Sequence, residues 1–474
     1  MASQVEMLIR RAVIEGGMTV AKFNRWRPRI IAASNPFMTG VHKPVADEAT
    51  IEGLEVSGAI PVELDGCYMR NGPNPIGPNP ATYHWFIGDG MIHGLRLRRG
   101  KALWYKNRWV RSEHASAALG EPLKPGPSRG ASETVNTNVI GHAGKILALV
   151  EAGAYPVELD GDLDTIAHRP FEGAPPAGFT AHPHVDADTG EMHVICYDAR
   201  VMDKVRYVVV GRDGRIRREQ AIAVEHGPSI HDCMITKNHV IVLDLPVTFS
   251  MKALLAGEEF PYAWNPGHKA RVGLLPREGR GEIVWSDVDP CYVFHLANAW
   301  ETQDGAIVLD ACVHDRMFDQ GAKGPDSSRM TFERWTIDPK AGRVLRRVID
   351  EEAQEFPRID ERKTGKPYRF AYTLAVKPES AEFIGGSRLF KHDLDMGARE
   401  VHDFGRDRLP GEFVFAPRSP DSTEDDGWLM GFVLDKARDT TDFVILDAQN
   451  FSGAPLAEIH IPRRVPPGFH GNWI

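Results

Sequence analysis

With 474 residues, 42% of them hydrophobic and 9% aromatic, the chain can bury a large core, which excludes an intrinsically disordered protein. Its 56 basic and 65 acidic residues leave a formal charge of −9 without a long run of either sign, so it carries no electrostatic footprint for nucleic acid. Five scattered cysteines with no C-x-x-C pair point to a reducing compartment, and no apolar run reaches the roughly 18–20 residues of a membrane span.

At the N-terminus, Arg10, Arg11 and Glu15 interrupt any secretory h-region, so a cytoplasmic location is expected. Within 4–26, Val5, Leu8, Ile9, Ala12 and Val13 fall near helical spacing, which favours a helix docked on the body over one lying on a membrane surface. The organisation expected is an N-terminal helical or extended segment over 1–40 and a single domain over 41–474. RNGPNPIGPNP (70–80) repeats GPNP and predicts a structured loop, neither helix nor central strand. Segment 115–130 reads as a second insertion. A third, 249–280, begins with a short helix (SMKALLAG) and turns proline-rich and aromatic, the character of a rim insertion that shapes a pocket.

From about residue 140 onward, short β-rich runs dominate: KILALV (145–150), EMHVICYD (191–198), VRYVVV (205–210), HVIVLDL (239–245), AIVLDACV (306–313) and DFVILDA (442–448). VDADTGEMHV, VVVGRDGRIRR and TIDPKAGRVLRR place Asp and Gly between strand-like flanks and predict hairpins. An all-β fold of this size exceeds most sandwiches. A seven-bladed propeller at about 55–65 residues per blade fits it, although no WD or kelch signature is present.

Among the 19 histidines, four stand beside strand-like runs in apolar surroundings: His182 (FTAHPHVD), His231 (SIHDCMI), His295 (YVFHLANAWE) and His470 (GFHGNW). Any one alone reads as a packed core residue. Together they lie 49, 64 and 175 residues apart, intervals at which propeller blades would bring them to one axis. No short ligand motif such as H-x-x-x-H accompanies them.

At these residues the sequence resembles the carotenoid cleavage oxygenase family, which includes apocarotenoid oxygenases, lignostilbene dioxygenases and the retinoid isomerase. The resemblance runs from about residue 45 through RNGPNP (70–75), GDGMIHG (88–94), NTNV (136–139), FTAHPHVDADTGE (179–191), IHD (230–232), FHLANAWE (294–301), EFPRID (355–360), GEFVFAPR (411–418) and PPGFHGNW (466–473). It implies a seven-bladed β-propeller under a cap of loops and short helices, with Fe(II) on the axis held by His182, His231, His295 and His470. It also implies three glutamates, Glu151, Glu355 and Glu412, each accepting the distal N–H of a ligating imidazole. In chain order they would pair with His231, His295 and His470, leaving His182 without one.

The implied reaction is cleavage of a C=C bond by O₂ into two carbonyl products, with no nicotinamide cofactor; no G-x-G-x-x-G between strand and helix is present. Phe86, Thr137, Asn138 and Trp300 are the pocket candidates. Three departures stand out: His184 gives AHPH a second histidine, Ile87 precedes GDG where relatives carry Asp or Asn, and Val150 precedes Glu151 where stilbene-cleaving relatives carry lysine. An apolar Val150 and an AALGEPLKPG loop (117–126) without tyrosine favour a carotenoid or apocarotenoid over a hydroxystilbene. A non-catalytic propeller scaffold is the alternative of another class, and it would have no reason to carry stoichiometric iron. Because such substrates dissolve in bilayers, 4–26 and 249–265 are the segments expected to make any peripheral membrane contact.

Overall fold

The computed structural model describes residues 35–128, 133–169, 171–172, 178–279, 281–319, 326–377 and 385–474, with 13, 15–22 and 24 at the N-terminal end. Strands dominate it. The three predicted hairpins form as antiparallel pairs: His184–Val185 with Met192–Asp198, Val201–Val210 with Ile216–Ala223, and Met330–Asp338 with Arg343–Asp350. Among the described residues the strands make six sheets of four or more strands and one two-stranded ribbon. The architecture is therefore all-β and propeller-like with few helices, as expected. Seven separate blades are not resolved among these sheets, because one parallel bridge, Asp287 to Arg343, joins two four-stranded meanders into a single eight-stranded sheet.

The chain closes on itself at its two ends. Strand Gly66–Pro73 pairs with Gly90–Arg98 on one side and with the C-terminal strand Gly471–Trp473 on the other. Main-chain bonds tie the tail down: Phe469 N–H donates to the Asn71 carbonyl, Asn71 N–H to that of His470, and Ile474 N–H to that of Cys67. The sequence expectation that 70–80 holds no central strand is corrected here, since Arg70 to Pro73 complete a buried strand. Proline is tolerated because it is the last strand residue, past the reach of the C-terminal partner. Gly72 is required by contact: a Cβ there would lie 2.6 Å from the Gly468 Cα.

The insertions fold as short capped helices. Ser112 caps Glu113–Leu119, so segment 115–130 starts inside a helix, and Gly120 ends it in the left-handed region. Ser250 and Gly257 do the same for Met251–Ala256. Residues 15–22 are helical. This helix lies against the 249–280 insertion: the Asn24 side chain donates to the Leu255 carbonyl at 2.7 Å, and Gly17 faces Leu254 and Met251. Val5, Leu8, Ile9 and Ala12 lie outside the described residues. No described helix is long and apolar enough to cross a membrane.

Candidate metal centre and cavity

His182, His231 and His470 each sit one or two residues ahead of a strand: His184–Val185, Cys233–Ile235 and Gly471–Trp473. His295 lies inside Tyr292–Glu301, where the register slips between Val293 and Leu296. A bulge of this kind re-aims one side chain out of the alternation, and here it turns His295 toward the other three. The four imidazoles offer nitrogens that all lie within 4.8 Å of one another. Ring centroids are 4.3 Å apart for His182 and His231, 4.5 Å for His182 and His470, and 4.7 Å for His295 and His470.

Three glutamates stand behind three of these rings. His231 Nδ1 donates to Glu151 at 2.9 Å, His295 Nδ1 to Glu355 at 2.5 Å, and His470 Nδ1 to Glu412 at 3.0 Å. These are the pairings that chain order suggests. Each bond uses Nδ1 and so leaves Nε2 facing the cluster. Among the described residues His182 has no carboxylate partner, and its buried Nε2 makes no hydrogen bond. His184, the second histidine of AHPH, is drawn elsewhere: its Nε2 bonds Asp232 at 2.8 Å. Asp232 also accepts from the Leu296 N–H, which fixes the strand carrying His295.

Electrostatics keep the rings suited to metal binding. Burial pushes His182 well below the usual imidazole range, with the neighbouring imidazoles adding to the effect, and burial lowers His470 despite Glu412. His295 is raised, because the Glu355 carboxylate outweighs the cost of burial. Burial favours the neutral acid at Glu355, yet His295 and His314 hold it well below the carboxylate range. Glu412 is held down at about 2 against the same burial, by Arg358 and His470.

A cavity of about 650 Å³ opens onto this cluster. His231, His295 and His470 line it and His182 does not, so the cavity reaches the centre from the side opposite His182. Its walls are aromatic: Phe86 lies 6.0 Å from Phe294, 5.7 Å from Phe469 and 5.5 Å from Phe260, centroid to centroid. Val150 and Glu151 also line it, as do Met18 and Leu254 of the two docked helices.

Of the four pocket candidates, Phe86 and Thr137 line the cavity, whereas Asn138 and Trp300 do not. Asn138 spends its side chain on the Ala181 carbonyl and Asn472, and Trp300 packs against Tyr368 under the Arg334 guanidinium. Thr137 also carries the centre through its backbone, since its carbonyl accepts the His470 N–H. Ile87 lines the cavity beside Asp89, which is occupied by the Ile76 N–H and His114. Sequence reading missed His314, which bonds the second oxygen of Glu355 at 2.7 Å, and Arg358 beside Glu412. The only signal for Arg358 was its place in the EFPRID motif.

A family model described as retinal pigment epithelial membrane protein matches residues 42–474. The chain belongs to the carotenoid cleavage oxygenase family. It is 43% identical to the carotenoid cleavage oxygenase of Mycobacterium tuberculosis, over 93% of this chain and 98% of that one. Among solved structures, the lignostilbene dioxygenase of Pseudomonas brassicacearum superposes with a TM-score of 0.84 at 27% identity, covering 94% of this chain and 100% of its own. The cobalt-substituted apocarotenoid oxygenase of Synechocystis gives 0.80 at 26% identity, covering 91% and 97%. The family depends on non-haem iron. The donor set here fits such a metal: four imidazoles without a carboxylate ligand, three oriented from behind, and one buried nitrogen lacking a protein partner.

Proposed function

We propose that this protein is a non-haem Fe(II) dioxygenase that cleaves one C=C bond of a carotenoid or apocarotenoid with O₂ to give two carbonyl products. The observation that carries this reading is the four-histidine cluster at the end of an aromatic cavity. His182, His231, His295 and His470 would hold the metal, with Glu151, Glu355 and Glu412 fixing three of the rings. Bound there, ferrous iron supplies the activation of O₂ at the alkene. The rest falls to the chain. Phe86, Phe294 and Phe469 provide flat apolar walls that hold an extended polyene with one double bond toward the Nε2 atoms and keep bulk water out. Because the alkene itself supplies the electrons, no proton donor is needed at the reacting carbons, and the three glutamates remain occupied by imidazoles.

The finer architecture follows from the same reading. Divided at its single parallel bridge, the eight-stranded sheet becomes two blades and the ring counts seven. Residues 41–474 form the catalytic domain, supported by a family match that starts at 42, and 1–40 an accessory segment. Met18, Val20 and Leu255 are exposed on the two docked helices, and Met18 also lines the cavity, so this face suits peripheral contact of a cytoplasmic enzyme with a membrane that stores the substrate. Co-sedimentation with liposomes, before and after removal of residues 1–26, tests that contact.

A hydroxystilbene is the second reading, favoured by the fold shared with the lignostilbene dioxygenase. Val150 on the cavity wall, with no ammonium to meet a phenol, weighs against it. Product analysis with a panel of carotenoids, apocarotenals and 4-hydroxystilbenes decides. Apocarotenal cleavage with O₂ uptake is expected, and turnover of stilbenes alone would reverse the assignment. A retinoid-isomerase-like activity would consume no O₂, and a scaffold would hold no stoichiometric iron.

A further inference from the structure

Two of the buried glutamates are themselves gripped, and by different means. Glu355 gives one oxygen to His295 and the Phe356 N–H, and the other to His314. Glu412 gives one oxygen to His470 and the other to the Gly471 N–H at 2.9 Å. Beside Glu412 lies Arg358, only 14% exposed, whose Nη1 is 3.4 Å from the oxygen that His470 uses. The same Nη1 donates to the Gly471 carbonyl at 3.2 Å, while Nη2 donates to the Asn472 side chain at 2.8 Å and to Glu361 at 2.5 Å. One planar guanidinium therefore touches the carboxylate behind His470 and the two residues after it.

The need for such a grip follows from the shortness of the neighbouring strand. Gly471–Trp473, which directly follows His470, has three residues, too short to fix a side chain by ladder bonds alone. The guanidinium fork can meet several acceptors in one plane at fixed angles, which a lysine ammonium cannot reproduce. Arg358 is itself aimed by a register slip between Glu355 and Arg358, and Phe356 takes a left-handed φ of 54° within it. One irregular strand thus points Glu355 at His295 and Arg358 at the strand of His470.

We infer that Arg358 is a positioning residue for the metal centre: it locks Glu412 and the terminal strand together and so sets where the His470 imidazole points. This rests on the four-histidine metal reading above. The test compares wild type with Arg358→Met and Arg358→Lys, using Fe(II) affinity from competition with a chelator and the visible spectrum of the Co(II)-loaded proteins. Wild type binding one equivalent of metal upholds the reading, and its failure to bind would sink that reading before the variants are considered. Given that binding, Arg358→Met is expected to weaken Fe(II) affinity about tenfold, in the range for partners that orient metal ligands, and to alter the Co(II) bands. Arg358→Lys should show the same changes to a smaller degree. KM should hold while kcat falls with occupancy. Unaltered metal affinity and Co(II) spectrum in Arg358→Met would overturn the inference, whatever happens to thermal stability. If that variant does not fold, Arg358→Lys decides alone: changed bands support the role and unchanged bands refute it.

Discussion

The two flanks of the histidine cluster are built to different standards. On the side of Glu355 and Glu412, each carboxylate uses both oxygens, and both side chains are at most 2% exposed. On the side of Glu151, the carboxylate makes one bond to His231, its other oxygen has no partner, and the residue lines the cavity. Its loop is held chiefly by tight backbone packing, with Gly153 at φ 109° against Gly178. The difference teaches that the protein anchors His295 and His470 with redundant bonds and leaves His231, whose glutamate itself lines the cavity, simply supported. The doubly held rings can fix the metal while the Glu151 limb adapts to the polyene.

The largest effect tests whether the cluster acts as one unit. His295→Ala removes a nitrogen from the anchored flank, and both iron content and turnover should fall by more than about 100-fold, measured by metal analysis and product formation. Next, Glu355→Gln should cost metal affinity on the order of 10-fold to 100-fold, because two imidazoles lose one acceptor. Glu151→Gln should cost about tenfold or less and act more on KM than Glu355→Gln does. Equal losses in all parameters would erase the distinction between the flanks.

Chain closure offers a third probe. Gly72→Ala places a methyl group 2.6 Å from the Gly468 Cα, so backbone must move. Thermal unfolding should show a loss of about 1–3 kcal/mol, with iron lost in parallel through His470.

The smallest effect is in acid. The folded pKa of Glu412, about 2, lies below its unfolded value of 4.5, so its contribution to stability is present above pH 4.5 and is lost as pH falls toward 2. Urea unfolding of the iron-free protein between these pH values should be less pH-dependent in Glu412→Gln than in wild type. An unchanged slope would show that the Glu412 carboxylate is not held by its neighbours.

Much of this was legible in the chain because the motifs carry local physics. Asp–Gly turns marked the hairpins, Ser250 and Gly257 bracket the one short helix read in SMKALLAG, and GFHGNW set His470 among apolar neighbours. Histidine spacing alone did not choose between His182 and His184, since two residues apart they look equivalent; Asp232, 48 residues beyond His184, settles which ring is free. Asn138 and Trp300 misled because both belong to motifs that also carry site residues, and a place in a motif does not say which side of a strand faces the cavity. Arg358 and His314 act through contacts 54 and 41 residues away, with Glu412 and Glu355, which no local pattern reports. The bridge that joins two meanders into one eight-stranded sheet is likewise a tertiary event that no local pattern reports.

The most direct test is anaerobic titration of the iron-free protein with Fe(II), followed for wild type and for His182→Ala, the ligand candidate whose Nε2 has no other partner. Saturation at one equivalent per chain in wild type, with binding lost in the variant, is the predicted result. Tight one-to-one binding that survives His182→Ala would contradict the four-histidine centre.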